Sequence, residues 1–122
     1  MFNNVSVSAT ALFLVQAGAG SFETSGYASW AGNRVSENSS TSGFLVNYFG
    51  TPSGALVWFG AVTLNRVSAN TWTMTANMAS ATSSTSVATG VKSFSGDIDR
   101  IRVTTTATDT FDAGTINVMY EG

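Results

Sequence analysis

Cysteine and histidine are absent from this sequence, lysine and proline occur once each, and charged residues make up only 10% of it. Without cysteine there is no disulfide framework, no thiolate nucleophile and no thiolate zinc site. Without histidine the general base suited to neutral pH is missing, and with it Ser-His-Asp and Cys-His arrangements and imidazole metal ligation. Ordinary domains carry about 25% charged residues. Here four Arg and Lys92 are scattered singly and the formal net charge is −2, so the basic footprint that a phosphate backbone requires is missing. Nucleic acid is therefore not an expected partner. Long hydrophobic runs are lacking too: the longest, Ala55 to Val62, is far below the roughly 20 residues of a membrane helix. Ala11 to Val15 followed by Ala17 to Gly20 has the look of a secretory leader, but the first basic residue is Arg34, so the positive flank of such a leader is absent.

What is present is hydroxyl: 17 Ser and 17 Thr in 122 residues, with 12 Gly and 43% apolar residues. One domain of this length buries roughly two-thirds of its unfolded surface. Period-2 alternation recurs along the chain and no helical period does. Thr71 to Ala79 is the plainest case, with Trp72, Met74, Ala76 and Met78 expected inward and Thr71, Thr73, Thr75 and Asn77 outward. Thr10 to Gln16, Ser21 to Trp30, Phe44 to Phe49, Ala55 to Arg66, Ile98 to Thr106 and Thr115 to Glu121 read as further strands. Gly50 to Gly54, around Pro52, reads as a turn, and Asp109 to Gly114 as a connection or bulge before the last strand. Met1 to Ser8 suggests a short arm or edge strand. Ser80 to Gly90 is Ser/Thr/Ala-rich and compatible with a hairpin tip or an edge strand. The expected fold is an all-β antiparallel sandwich of jelly-roll type with about eight strands, an N-terminal arm or edge strand over residues 1–9, and the sandwich domain over 10–122.

Ala55 to Leu64 is apolar on both faces, whereas an antiparallel sandwich strand normally wets one. A second cover for that strand, from another subunit, is the expectation. Tyr27 and Trp30, in a polar context, are candidate glycan contacts, since aromatic faces stack on pyranose rings; packing in the core is the competing reading. Asp97, Asp99, Asp109 and Asp112 have neither the spacing of a calcium loop nor that of a glycosidase pair, so turn capping and pairing with Arg100 or Arg102 is expected. No catalytic residue, metal or cofactor is expected. Arg34, Arg66, Arg100 and Arg102 suit either solvated strand faces or an acidic docking partner.

Two segments, Ser95 to Thr105 (SGDIDRIRVTT) and Asp109 to Glu121 (DTFDAGTINVMYE), resemble the C-terminal part of small tailed-phage virion proteins, namely head-decoration (cement) proteins and tail-fibre tips. The resemblance covers the last quarter of the chain and carries no catalytic residue. It implies a β-sandwich on the outer surface of the virion, often a homotrimer, that reinforces the head through contacts with the major capsid protein. The alternative it leaves open is a receptor- or glycan-binding tip of a tail fibre or spike. On either reading the partners are sister subunits and other virion proteins, with a host surface glycan as a further candidate and no membrane insertion. Val5 and Val7 of the arm, and Leu56, Trp58, Val62 and Leu64 of the doubly apolar strand, are then the candidates for subunit or capsid contacts.

Overall fold

The computed structural model describes residues 1–33, 35–48, 55–81 and 84–121, and among them all regular structure is strand. The strands are β1 (Phe2–Val7), β2 (Phe13–Gly18), β3 (Ala28–Gly32), β4 (Glu37–Ser40), β5 (Phe44–Leu45), β6 (Trp58–Ser68), β7 (Thr71–Ser80), β8 (Thr85–Ser93), β9 (Arg100–Thr105) and β10 (Phe111–Ile116). They form two antiparallel sheets, one of seven strands in the order β10-β1-β6-β7-β8-β3-β4 and one of three in the order β5-β2-β9. The sandwich is therefore as expected, with ten strands among the described residues against about eight expected.

The centre of the large sheet follows from alternation. In β7, Met74, Ala76 and Met78 are buried and Trp72 is half-buried against the same core, while Thr75, Asn77 and Ala79 face solvent. β8 alternates just as strictly, but its inward residues are Ser86, Ala88, Gly90 and Lys92. The first three are small because the other sheet comes close: a Cβ at Gly90 would lie 2.7 Å from Phe44 Cδ1. Of the segment expected as a hairpin tip or edge strand, the part from Thr85 on is an interior strand between β7 and β3, while Ser80 N donates to Ser84 O at 2.7 Å where β7 turns into β8.

The small sheet caps this surface. Phe13 stacks on Phe2 with centroids 5.8 Å apart, and Phe44 meets the Tyr27 ring edge-on at 4.9 Å. Of the strand expected from Phe44, the described residues are strand only at Phe44–Leu45, and around it buried side chains bind backbone amides. Asn47 Oδ1 accepts from Phe13 N at 2.8 Å, Ser29 Oγ from Leu45 N at 2.8 Å, and Ser86 Oγ from Tyr48 N at 2.9 Å. These buried polar groups are matched to backbone donors, which removes the cost of burying them. Phe49 and the expected turn around Pro52 lie outside the described residues.

The N-terminal segment is neither arm nor edge. β1 lies between β10 and β6, with Phe2, Val5 and Val7 buried in the core. Its partner β10 begins at Phe111, four residues earlier than the strand expected at Thr115, and residues 117–121 lie outside any strand. β9 and β10 lie in different sheets, β9 paired with β2 and β10 with β1. The register of β1 against β10 shifts twice, at Asn3/Ser6 and Ser6/Val7. Asn4 (φ +57°) and Gly114 (φ +92°) supply the positive φ that such bulges use.

Candidate functional site

Two surfaces at opposite ends of the large sheet remain open once the core is assigned. The first is the outward face near β3 and β4. Trp30 stands there directly between Thr89 of β8 and Ser39 of β4, and the same row continues through Thr75 of β7 to Thr63 of β6. The adjacent row runs Glu37, Gly32, Val87, Asn77, Ala61. Trp30 is 48% exposed. It borders a shallow cleft of about 580 Å³ that is also lined by Asn33, Ser36, Glu37, Val87 and Thr89. Its wall is held by Asn33, whose Oδ1 accepts from Val35 N and Ser36 N, both at 2.9 Å. Val87 separates this cleft from a hollow of about 360 Å³ beside Phe59 and Ala79.

The second surface is the corner where β1 begins and β10 ends. Met1 and Asn117 exchange two hydrogen bonds: Met1 N donates to Asn117 O at 2.8 Å, and Asn117 N donates to Met1 O at 2.9 Å. Just past that pair, Val118, Met119 and Tyr120 are 66%, 88% and 90% exposed, beside an exposed Met1. The outer edge of β10 has no strand partner among the described residues. Exposed apolar side chains grouped at an unpaired edge are what interaction surfaces present to a partner.

Tyr27 is not on either surface. It is buried, its hydroxyl accepting from Ala17 N at 3.1 Å and donating to Glu23 O at 2.9 Å. Lys92 Nζ lies 5.1 Å from the centroids of both Tyr27 and Phe94, and 2.8 Å from Glu23 Oε2. Ser95 donates to Glu23 Oε1 from N (2.9 Å) and Oγ (2.7 Å). Burial pushes the Glu23 carboxyl up, but the bonds from Lys92 and Ser95 and the Lys92 charge outweigh it and hold the group at about 2. This constellation is a strut that ties residues 23–27 to the end of β8. A carboxylate so stabilised as an anion is a poor proton donor or acceptor near neutral pH.

No protein-family model, curated protein or solved structure matches this chain. Assignment therefore rests on the residues. Val5, Val7 and Trp58 are buried within the chain's own core, and Leu56, Val62 and Leu64 pack half-buried against it. These six, expected at a subunit or capsid contact, thus point inward; alternation leaves Phe59 and Ala61 as the outward residues of that strand. Of the two glycan candidates only Trp30 is accessible, because Tyr27 lies on the opposite face of the chain.

The aspartates hold backbone, a serine hydroxyl and arginines. Asp109 Oδ2 accepts from Ala11 N at 2.7 Å, Asp112 from the Ser6 hydroxyl, and Asp99 from Gly20 N at 3.2 Å. Asp97 pairs with Arg66 and Asp99 with Arg100, each at 2.7 Å. The Arg100 bond and that from Gly20 N lower the Asp99 carboxyl below its usual range. Arg102 donates to Gln16 at 2.8 Å and lies over the Phe22 ring at 4.3 Å. Arg34 falls outside the described residues. Among those described, no three acidic side chains gather as a metal would require.

Sequence reasoning missed Glu37, Val87 and Thr89 around Trp30. A usable signal existed in Thr85 to Val91, where Val87 and Val91 alternate with Ser86, Ala88 and Gly90. It also missed the exposure of Val118 to Tyr120, whose alternation suggested a paired strand.

Proposed function

We propose that this chain is a non-catalytic structural protein of a tailed-phage particle, a head-decoration protein on the outer virion surface that binds sister subunits and the major capsid protein. The observation that carries the reading is the exposed apolar corner of Met1, Val118, Met119 and Tyr120 beside the unpaired edge of β10. The segment that resembles virion proteins, Asp109 to Glu121, maps onto that edge and corner. A contact there acts through buried area and geometry, and needs about 1,000 Å² in total to persist. Because the apolar residues sit at one corner, several copies can share it around an axis, as a homotrimer would.

Light scattering on the purified chain tests the subunit contact. An oligomer is expected, converted to monomer by Met119→Asp with Tyr120→Asp; a parent chain that is monomeric at high concentration defeats the reading. Quantitative mass spectrometry of purified particles then tests the location. A copy number comparable with the major capsid protein supports decoration, whereas a few copies per particle would move the chain to the tail.

A further inference from the structure

The outward face at the other end of the sheet suggests a ligand of its own. We propose that Trp30 and the row of hydroxyls leading away from it form a binding site for a neutral, linear oligosaccharide lying across the strands. From Trp30 the row passes Thr89, Thr75 and Thr63, all exposed and all on directly paired positions. Neighbouring strands are about 4.8 Å apart, a spacing comparable with the length of one pyranose unit. Each strand thus offers one hydroxyl per sugar along a chain that starts on the indole.

The chemistry around Trp30 selects among ligands. An indole face presents a flat apolar surface for the C–H face of a sugar ring. Glu37, Ser39 and Thr89 beside it accept from or donate to peripheral hydroxyls. Glu37 is the one charge among the described residues of the cleft, and an acceptor-only carboxylate suits hydroxyl donors and repels acidic ligands. The cleft is shallow and ringed by polar groups, which does not suit a wholly apolar ligand. The site stands independently of the docking corner: β3 is five strand steps from β10, roughly 24 Å at 4.8 Å per step. One end can therefore hold a particle while the other faces outward.

The test is titration of the full-length chain with neutral β- and α-linked glucose and N-acetylglucosamine oligomers of increasing length, followed by the three indole N–H resonances in proton–nitrogen correlation spectra. Expected are shifts of Trp30 but not of buried Trp58, affinity that rises with oligomer length, and a loss of about tenfold or more in Trp30→Thr. Thr75→Val, which keeps the branched Cβ and removes only the hydroxyl, is expected to weaken long oligomers and leave the shortest unchanged. No Trp30 shift at saturating oligomer concentrations, or equal binding by Trp30→Thr, overturns the site. Preference for acidic over neutral oligomers overturns the ligand class. Length-independent binding that Thr75→Val leaves unchanged overturns the hydroxyl row.

Discussion

The middle of the large sheet and its β1–β10 margin are built on different principles. β6 and β7 keep one register from Trp58↔Ser80 to Arg66↔Trp72, and β7 and β8 from Thr71↔Ser93 to Ala79↔Thr85. There, alternation alone decides which side chain is inside, and a slip by one residue would expose Met74 and Met78 together. At the margin the ladder is broken twice within six residues, and its geometry depends on two positive-φ residues. A strand whose pairing rests on period tolerates many sequences of the right pattern. One whose pairing rests on a bulge depends on particular residues.

The largest effect expected is in the middle. Met74 is fully buried between the sheets, and Met74→Ala removes its contacts and leaves a cavity, so a loss of about 2–5 kcal/mol in chemical denaturation is expected. A loss below about 1 kcal/mol would mean that the sheets do not close over β7. At the margin the corresponding change adds one carbon. Gly114 has φ +92°, and a Cβ there would press on the Asn4 carbonyl and lie 2.6 Å from Val5 Cα. Backbone cannot swing aside as a side chain can, and Gly114→Ala is expected to destabilise by roughly 2–3 kcal/mol. A neutral Gly114→Ala would show that the bulge is not needed for pairing.

Acid tests the strut at the end of β8. Glu23 titrates near 4.5 in the unfolded chain and at about 2 in the folded one, so the unfolded chain binds more protons between those values. Stability from this group is complete above about 4.5 and is lost as pH falls toward 2. Its upper bound is about 3 kcal/mol for a shift of this size. Glu23→Gln is expected to lower stability at pH 7 and flatten the acid limb of the stability curve between pH 5 and 2. A limb of unchanged slope would place the acid sensitivity elsewhere.

The contrast between middle and margin also explains what was legible. Period alone marks Met74, Ala76 and Met78 as core, because nothing in β7 competes with it. β8 escaped because its inward side is Ser86, Ala88 and Gly90, whose smallness reflects the position of Phe44 some 45 residues away in the chain. The Thr115 strand was placed too late because alternation in Thr115 to Glu121 is as regular as in a paired strand, while the residues that pair, Phe111 to Ile116, include Asp112 and Gly114. The glycan candidates Tyr27 and Trp30 differ by three positions, an odd number, so in continuous extended chain they must face opposite ways. That parity is legible in the amino-acid sequence; which of the two faces inward is not, because it is decided by Phe44, Phe94 and Lys92 closing around Tyr27. The six expected interface residues stand out by hydrophobicity, which marks a core as readily as a contact.

The smallest expected effect concerns the two faces of the same strand. Trp30 stands on the outward side of β3, half exposed, whereas Ser29 and Ala31 beside it are buried. Replacing it with Thr extends the residue type already present at the paired positions of its row in β8 and β7, and branched residues suit an open strand face. Trp30→Thr is therefore expected to change stability by no more than about 0.5 kcal/mol. The same substitution removes the most exposed of the three indoles, so quenching of tryptophan emission by acrylamide is expected to fall sharply while the denaturation midpoint stays in place. A variant that loses more than about 1 kcal/mol would show that the indole is packed, and would withdraw the accessible aromatic face on which saccharide stacking depends.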